Sequence, residues 1–245
     1  MPSHDDPRLR LASIRARYNL PQHYEPIDAW HKATAKLVRR RLLQAYRRWP
    51  LPHGGVVLNA GAGSTAFPLP MDSVVSLDLS DLSISGQPRP IVATVEDLPI
   101  RSDAVSAVVC VGSVINYCDA AAAISEFARV MKDGGRLFIE FESSASAELL
   151  AKPGFRTQAA VFESFYGART EVVWGYALAY IRNLLESASL RVNNVVPIHV
   201  LSPWVLLATK SPRIAARFSE LDDFCLHHTR LERWSSNFIL TCTKA

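Results

Sequence analysis

Between Val56 and Glu142 the chain alternates short apolar runs with more polar segments. Val56–Ala60, Val74–Leu79, Ile91–Val95, Ala107–Val111 and Arg136–Glu142 each read as a strand. Unbroken apolar runs of this length suit strands covered on both faces. Asp119–Lys132 reads as a helix between the fourth and fifth strands, stopped by Asp133-Gly134-Gly135. Ahead of the sheet, Trp30, Ala33 and Leu37, and again Val38, Leu42, Ala45 and Tyr46, recur at helical spacing. They predict a helix from Pro26, a residue suited to a first turn, to about Arg48, where "WPLPHGG" breaks it. Residues 1–25 read as a mobile lead-in. Toward the end, Glu171–Trp174 reads as a short strand, Tyr176–Ser189 as a helix, and Val192–Val200 and Phe238–Thr243 as closing strands. Strands alternating with helices predict an α/β protein with a parallel sheet, right-handed crossovers, and ligands at the carboxyl ends of the strands.

Composition narrows the class. The 245 residues are 49% hydrophobic and 20% charged, as expected for an ordered globular chain. No apolar run approaches the roughly 20 residues that a bilayer span needs. The start, "MPSHDDPRLR", lacks the apolar core of a secretory signal. Cys110, Cys118, Cys225 and Cys242 show no CxxC spacing, so neither a disulfide framework nor a metal site is expected, and a reducing cytoplasm fits. Charge is uneven: residues 1–50 hold eleven Lys/Arg against four Asp/Glu, while the whole chain carries +4. The cluster "RRRLLQAYRR", Arg39 to Arg48, reads either as a patch for an anionic partner such as nucleic acid or as the solvated face of a helix. The second is the plainer reading of one short cluster.

The chemistry centres on "VVLNAGAGSTAFPLP". A glycine-rich turn after a first strand lets a ligand approach the backbone. "GAGSTA" formally satisfies a dinucleotide fingerprint, with Asp78 downstream to hold a ribose. Pro68 and Pro70 argue against a dinucleotide, because they fall where its long phosphate-binding helix would run. The short interval from Gly61 to Asp78 argues the same way. A nicotinamide-dependent oxidoreductase is therefore the weaker reading.

The remaining motifs bring in a resemblance. "LNAGAGS", "SLDLS", "VEDLPIRSD" and "EFARVMKDGG" occur in this order. Together they resemble the class I S-adenosylmethionine-dependent methyltransferases, well over Val56 to Glu142 and more loosely through "YALAYIRNLLESASLRV". The resemblance implies a Rossmann-like, seven-stranded, mostly parallel sheet with helices on both faces and an N-terminal helical cap. Residues 1–50 would form the lead-in and cap, and 51–245 the methyltransferase domain, with a lid-like insertion around 150–175. The implied cofactor is S-adenosylmethionine. Gly61 and Gly63, with Ala60 and Ala62, would pass under its methionine part, and Asn59 stands where the family usually has an acid. Asp78 would take the ribose hydroxyls and Leu79 the adenine face. Thr94, Val95 and Glu96 would border the adenine edge, and Val111 and Gly112 the methyl group. Thr65, Thr94 and Ser106 stand where the family often has glycine, acid and Asp. No catalytic residue is assigned, since many members of the family need no particular base.

The acceptor pocket is expected in the least family-like parts. Candidates are Tyr24, Trp30 and His31 near the cap, Asn116 and Tyr117 beyond the fourth strand, Tyr166 in the aromatic stretch Phe155–Trp174, and His199 after the sixth. His227 and His228 read as surface residues of a late helix, and Ser202-Pro203-Trp204 opens an apolar stretch suited to closing the pocket or to a dimer contact. The expected reaction is methyl transfer to oxygen or nitrogen of a small organic acceptor. The alternatives are a binding or regulatory protein on the same fold, and a nucleic-acid methyltransferase using the basic cap.

Overall fold

A computed structural model of the chain describes residues 7–19, 28–50, 54–64, 69, 73–166, 169–222 and 233–245. Two helices, α1 (Pro7–Tyr18) and α2 (Ala29–Arg48), precede β1 (Val57–Ala60), β2 (Val74–Asp78), α3 (Asp81–Ile84), β3 (Pro90–Val92) and β4 (Val105–Cys110). A 3-10 turn (Val114–Tyr117) leads to α4 (Ala120–Val130) and β5 (Met131–Glu142). A second 3-10 turn (Ala147–Leu149) and the strands β6 (Ala159–Tyr166) and β7 (Arg169–Tyr176) follow. The chain ends with α5 (Leu178–Ser187), β8 (Leu190–Ile198), α6 (Ser202–Thr209), α7 (Pro212–Phe218) and β9 (Asn237–Lys244).

Seven strands form one sheet in the order β3-β2-β1-β4-β5-β9-β8, and β6 pairs with β7 in a separate antiparallel hairpin. Strands β1 to β5 pair in parallel, whereas β9 runs antiparallel to both neighbours. Strand β8 therefore points the same way as β1 to β5. The order reverses between β1 and β4, which opens a crevice at their carboxyl ends.

Alternation along the strands feeds two cores. Val57, Val109, Phe138 and Ile239 face α2, whose Leu37, Val38, Leu42 and Ala45 are buried. Leu58, Val108, Leu137 and Leu240 face α4 and α5, which contribute Ile124, Phe127, Ile181 and Leu185. Exposed Arg39, Arg40, Arg47 and Arg48 lie on the solvent side of α2. The basic end of α2 reaches the amino edge of the sheet, where Arg136 at the start of the main β5 ladder donates to Pro50 O at 2.7 Å.

The lead-in departs from expectation: residues 7–18 are helical. The segment is rich in the helix formers Arg, Leu and Ala, and contacts with distant segments dock it. Arg10 pairs with Glu96, Asn19 Nδ2 donates to Asp81 Oδ1 at 2.8 Å, and the Tyr18 carbonyl accepts from Ser80 Oγ and Ser83 Oγ. The cap helix starts at Ala29, with Asp28 as its N-cap accepting from His31 N; Pro26 lies outside the described residues. Helix α4 ends at Val130 and the Asp133-Gly134-Gly135 stop lies within β5, because the backbone straightens at Met131 to pair with Val105. The expected short strand at 171–174 is the middle of β7, and the lid region is largely a hairpin. Its partner β6 was hidden because a two-stranded hairpin contributes only alternate residues to a core: Phe162 is buried while Val161 is exposed. Tyr176 belongs to β7 and not to the following helix.

A buried polar knot ties the cap to the end of the sheet. His199, just past β8, has Nδ1 2.9 Å from Ser202 Oγ and 3.2 Å from Asp222 Oδ2. Its Nε2 lies 2.9 Å from Thr34 Oγ1 on α2, and the Trp30 ring lies 4.3 Å from the imidazole, centroid to centroid. Asp222 also takes the Ser202 hydroxyl and the amides of Leu201 and Ser202 at 2.7 and 3.0 Å. Burial alone would raise the Asp222 carboxyl; the hydrogen bonds from His199 and Ser202 outweigh it and hold the group below its usual value. A depressed carboxylate contributes stability above its unfolded pKa, near 3.8, and that contribution is lost as pH falls through the lower folded value. Asp222→Ala is expected to cost about 3–5 kcal/mol in urea unfolding, since it strands buried partners. Asp222→Asn should flatten the part of the acid-unfolding curve below pH 3.8.

Candidate active site

The turn after β1 is built around two backbone constraints. Gly61 and Gly63 have φ of 72° and 52°. A Cβ on Gly61 would lie 2.3 Å from Val114 Cγ2, so only glycine admits both the left-handed backbone and the close approach of the 114–117 turn. The amides of Gly61 and Ala62 both donate to Leu77 O, at 2.8 and 2.9 Å, which fastens the turn to the end of β2.

Asp78 ends β2 and is 9% exposed. One carboxylate oxygen accepts Gly63 N and the other Ser80 N, each at 2.8 Å. A carboxylate offers about four lone-pair sites, so acceptor capacity remains for a diol. Burial raises its pKa; the amides of Ser80, Gly63 and Leu79 pull the other way without cancelling it. Asn59, Ala60 and Ala62 are buried behind the turn, and Leu79 is half-buried beside Asp78. This donor and acceptor set fits a nucleoside whose ribose meets Asp78 and whose amino-acid tail follows the glycine backbone.

The residues expected at the adenine edge follow β3, which ends at Val92. Thr94 Oγ1 accepts Glu96 N at 3.2 Å, Val95 is buried, and Glu96 Oε1 accepts Asp119 N at 2.7 Å as well as binding Arg10. On the other side of β1, Val111 is buried and Gly112 is exposed with φ of 94°. Glu140 Oε2 accepts the amides of Gly112 and Ser113 at 3.0 and 2.6 Å, and its Oε1 accepts Asn237 Nδ2 at 2.7 Å. Sequence reading missed Glu140, although a charge inside the apolar run "LFIEFE" is a signal, since buried carboxylates need built partners. Burial raises this carboxyl, with the three donors opposing.

The structure scatters the expected acceptor residues. Trp30 and His199 are buried in the knot beside α2. Asn116 is fully buried and committed to backbone: Nδ2 donates to Glu142 O and Trp174 O, and Oδ1 accepts Glu142 N. It fastens the 114–117 turn between β5 and β7, so the acceptor role expected of it is replaced by a structural one. Tyr117 meets the edge of Tyr18 at 5.8 Å. His31 Nδ1 lies 2.9 Å from Asp28 Oδ2 at the start of α2. Tyr24 and the side chain of Tyr166 lie outside the described residues, as do Thr65, Pro68, Pro70, Cys225, His227 and His228. Cys110, Cys118 and Cys242 are free and buried, and no cluster of three metal-ligating side chains occurs among the described residues.

One acidic group was not foreseen. Glu148 sits in the 3-10 turn after β5, with an exposed side chain. The protein around its carboxyl, with the charges of Glu142 and Asp28, pushes it up to about 7, against the pull of Lys152. No sequence pattern marks Glu148, because its neighbours come from α2 and from the end of β5.

Comparison with known proteins agrees with this geometry. The profile of a family described as "Methyltransferase domain" matches residues 58–139, the span from β1 into β5. Over these residues the chain is similar to that methyltransferase family. The chain is 31% identical over 129 residues to the ubiquinone/menaquinone biosynthesis C-methyltransferase UbiE of Syntrophotalea carbinolica, over 46% of this chain and 54% of that one. The chain thus spans about half the length of this curated relative. Solved methyltransferases share the fold. The magnesium protoporphyrin IX methyltransferase of Synechocystis PCC 6803, with bound SAH, superposes with TM-score 0.59 at 15% identity, covering 96% of this chain and all of that one (100%). The geranyl diphosphate C-methyltransferase of Streptomyces coelicolor A3(2) gives 0.58 at 17% identity, covering 96% and 98%. In this chain, β3, β2, β1, β4 and β5 carry the crevice, and α1 docks on its β2–β3 side.

Asp78→Ala should weaken S-adenosylmethionine binding by roughly tenfold or more, the scale of hydrogen bonds to a charged group, as measured by calorimetry. Gly61→Ala should weaken binding and lower stability together. Adding Val114→Ala should relieve the clash but not the backbone strain, leaving a partial recovery.

Proposed function

We propose that the chain transfers the methyl group of S-adenosylmethionine to an oxygen or nitrogen of a small organic acceptor. The observation that carries this reading is the Asp78 carboxylate, held by the Gly63 and Ser80 amides at the point where the strand order reverses. When bound, the cofactor supplies a methyl group already activated on a sulfonium. The chain then has three tasks. The glycine turn and Asp78 hold the nucleoside; Glu140 holds the Gly112–Ser113 backbone at the end of β4, where the acceptor approaches. Helix α1, latched by Arg10 to Glu96 and by Asn19 to Asp81, limits water over the β2–β3 side. Orientation of this kind supplies much of the rate in such displacements.

Glu148 is the group best suited to take the acceptor's proton. The charges of Glu142 and Asp28 act on its carboxyl and help push it up to about 7, the range in which a carboxylate can exchange a proton with an acceptor. A phenol or an ammonium losing its proton to Glu148 becomes the better nucleophile. The same acidic surroundings suit an acceptor without strong negative charge.

Two alternatives are weighed by particular observations. The curated relative and one structural neighbour are named C-methyltransferases, so carbon is the second acceptor atom to consider. The nucleic-acid reading loses support because the basic end of α2 lies at the amino edge of the sheet, opposite the crevice.

Calorimetric titration should give saturable binding of S-adenosylmethionine and none of NAD. Among phenols and amines screened with labelled methyl, turnover should rise with pH through about 7 as Glu148 loses its proton. Glu148→Gln should lower turnover by about a hundredfold or more while leaving cofactor affinity in place. Cofactor binding with no turnover on any acceptor would favour a binding or regulatory protein instead.

A further inference from the structure

We propose that a groove at the start of α5 binds a phosphate-bearing small molecule, at a site separate from the cofactor crevice. The groove has a volume of about 540 Å³ and is lined by Arg156, Arg182 and Arg233, with Glu186 its sole acidic lining residue. The three arginines come from three parts of the chain: the segment before β6, the exposed face of α5, and the turn before β9. Among the described residues none of the three forms an ion pair. Among the described residues, convergence of three guanidinium groups leaves a local positive excess that an anionic ligand would neutralise.

The groove is organised as well as charged. Arg156 has φ of 62°, and its amide donates to Ser144 O at 2.9 Å. Its guanidinium carbon lies 3.5 Å from the centroid of the Trp234 ring, and Phe155 stacks on the same indole at 6.0 Å. Stacking fixes the guanidinium plane and leaves its N–H edge free to fork onto two oxygens of one anion. Helix α5 begins at the same place. No side chain caps it, no acid occupies its first turn, and the first-turn residues Leu178 and Ala179 line the groove. The positive end of an uncapped helix adds to the field of the arginines. Phe238 supplies apolar wall for an organic body attached to the anion.

Separation from the crevice follows from the lining: none of the residues assigned to the cofactor lines the groove. Tyr176, whose hydroxyl donates to Cys118 O at 3.3 Å, bridges Ser143 at the groove's edge. The proposal therefore does not depend on what the crevice methylates. Three forked donors and a helix start favour a compact, multiply charged oxyanion over a single carboxylate.

Full-length protein titrated calorimetrically with pyrophosphate, orthophosphate and citrate at about 0.15 M salt tests this. Saturable binding of pyrophosphate, tighter than citrate, is expected. R182A and R233A should each weaken it about tenfold, with R182K in between because it keeps charge but loses the fork. Arg182 is on the exposed face of α5, so R182A keeps the fold. The affinity for S-adenosylmethionine should not change in either variant. Absence of pyrophosphate binding, equal affinity in wild type and both variants, or preference for citrate would overturn the phosphate assignment. A loss of cofactor affinity in R182A would overturn the separation of the two sites.

Discussion

The carboxylate of Asp78 accepts one amide from the turn after β1 and one from the turn after β2. Both turns would otherwise carry unsatisfied N–H groups at a half-buried edge, at a cost of about 1–3 kcal/mol each. One side chain thus fixes the distance between the glycine backbone and the acid that would meet a ribose. The same two-residue step from Asp78 to Ser80 sets where α3 begins, because Ser80 Oγ accepts Ser83 N. Ser80 and Ser83 then hold the carbonyl that ends α1. The N-terminal helix is in this sense an extension of the Asp78 contact, and its position over the crevice follows from it.

Other polar groups at the carboxyl edge work in the same manner. Glu140 holds the β4 turn, Asn116 holds the next turn against β5 and β7, and Asp222 gathers His199, Ser202 and two amides. Each buries a polar side chain that would be costly alone, and each offsets that cost by satisfying several backbone groups. The edge is rigid for this reason, which suits a reaction governed by alignment. In the proposed reaction, proton transfer is left to a group not committed in this way, Glu148.

Charge is sorted over the surface. Arginines of α2 gather toward the amino edge of the sheet, the carboxylates of Asp28 and Glu142 act on Glu148, and a second set of arginines gathers around the start of α5. Net charge of +4 conceals this division, since the sign at each place depends on which distant segments meet there.

The sequence by itself determined the parallel sheet, the strands β1 to β5, β8 and β9 with helices α2, α4 and α5, and the glycine turn with its acid. These are local patterns: unbroken apolar runs, helical periodicity and short motifs whose spacing survives without knowledge of the fold. Element ends were less legible, as with α4, because strand pairing at Met131 overrode the glycine stop. Tertiary structure alone decided the rest. Helix α1 is docked by Glu96, Ser80 and Asp81, on segments far along the chain. Phe162 and Val161 show a strand pattern only once β7 lies alongside. Asn116 and His199 were read as pocket residues from their place after strands, but position after a strand does not say whether a side chain turns to the cleft or into the core. Glu148 and the three arginines gained meaning only through neighbours brought from elsewhere, because field and burial depend on distance in space and not on distance along the chain.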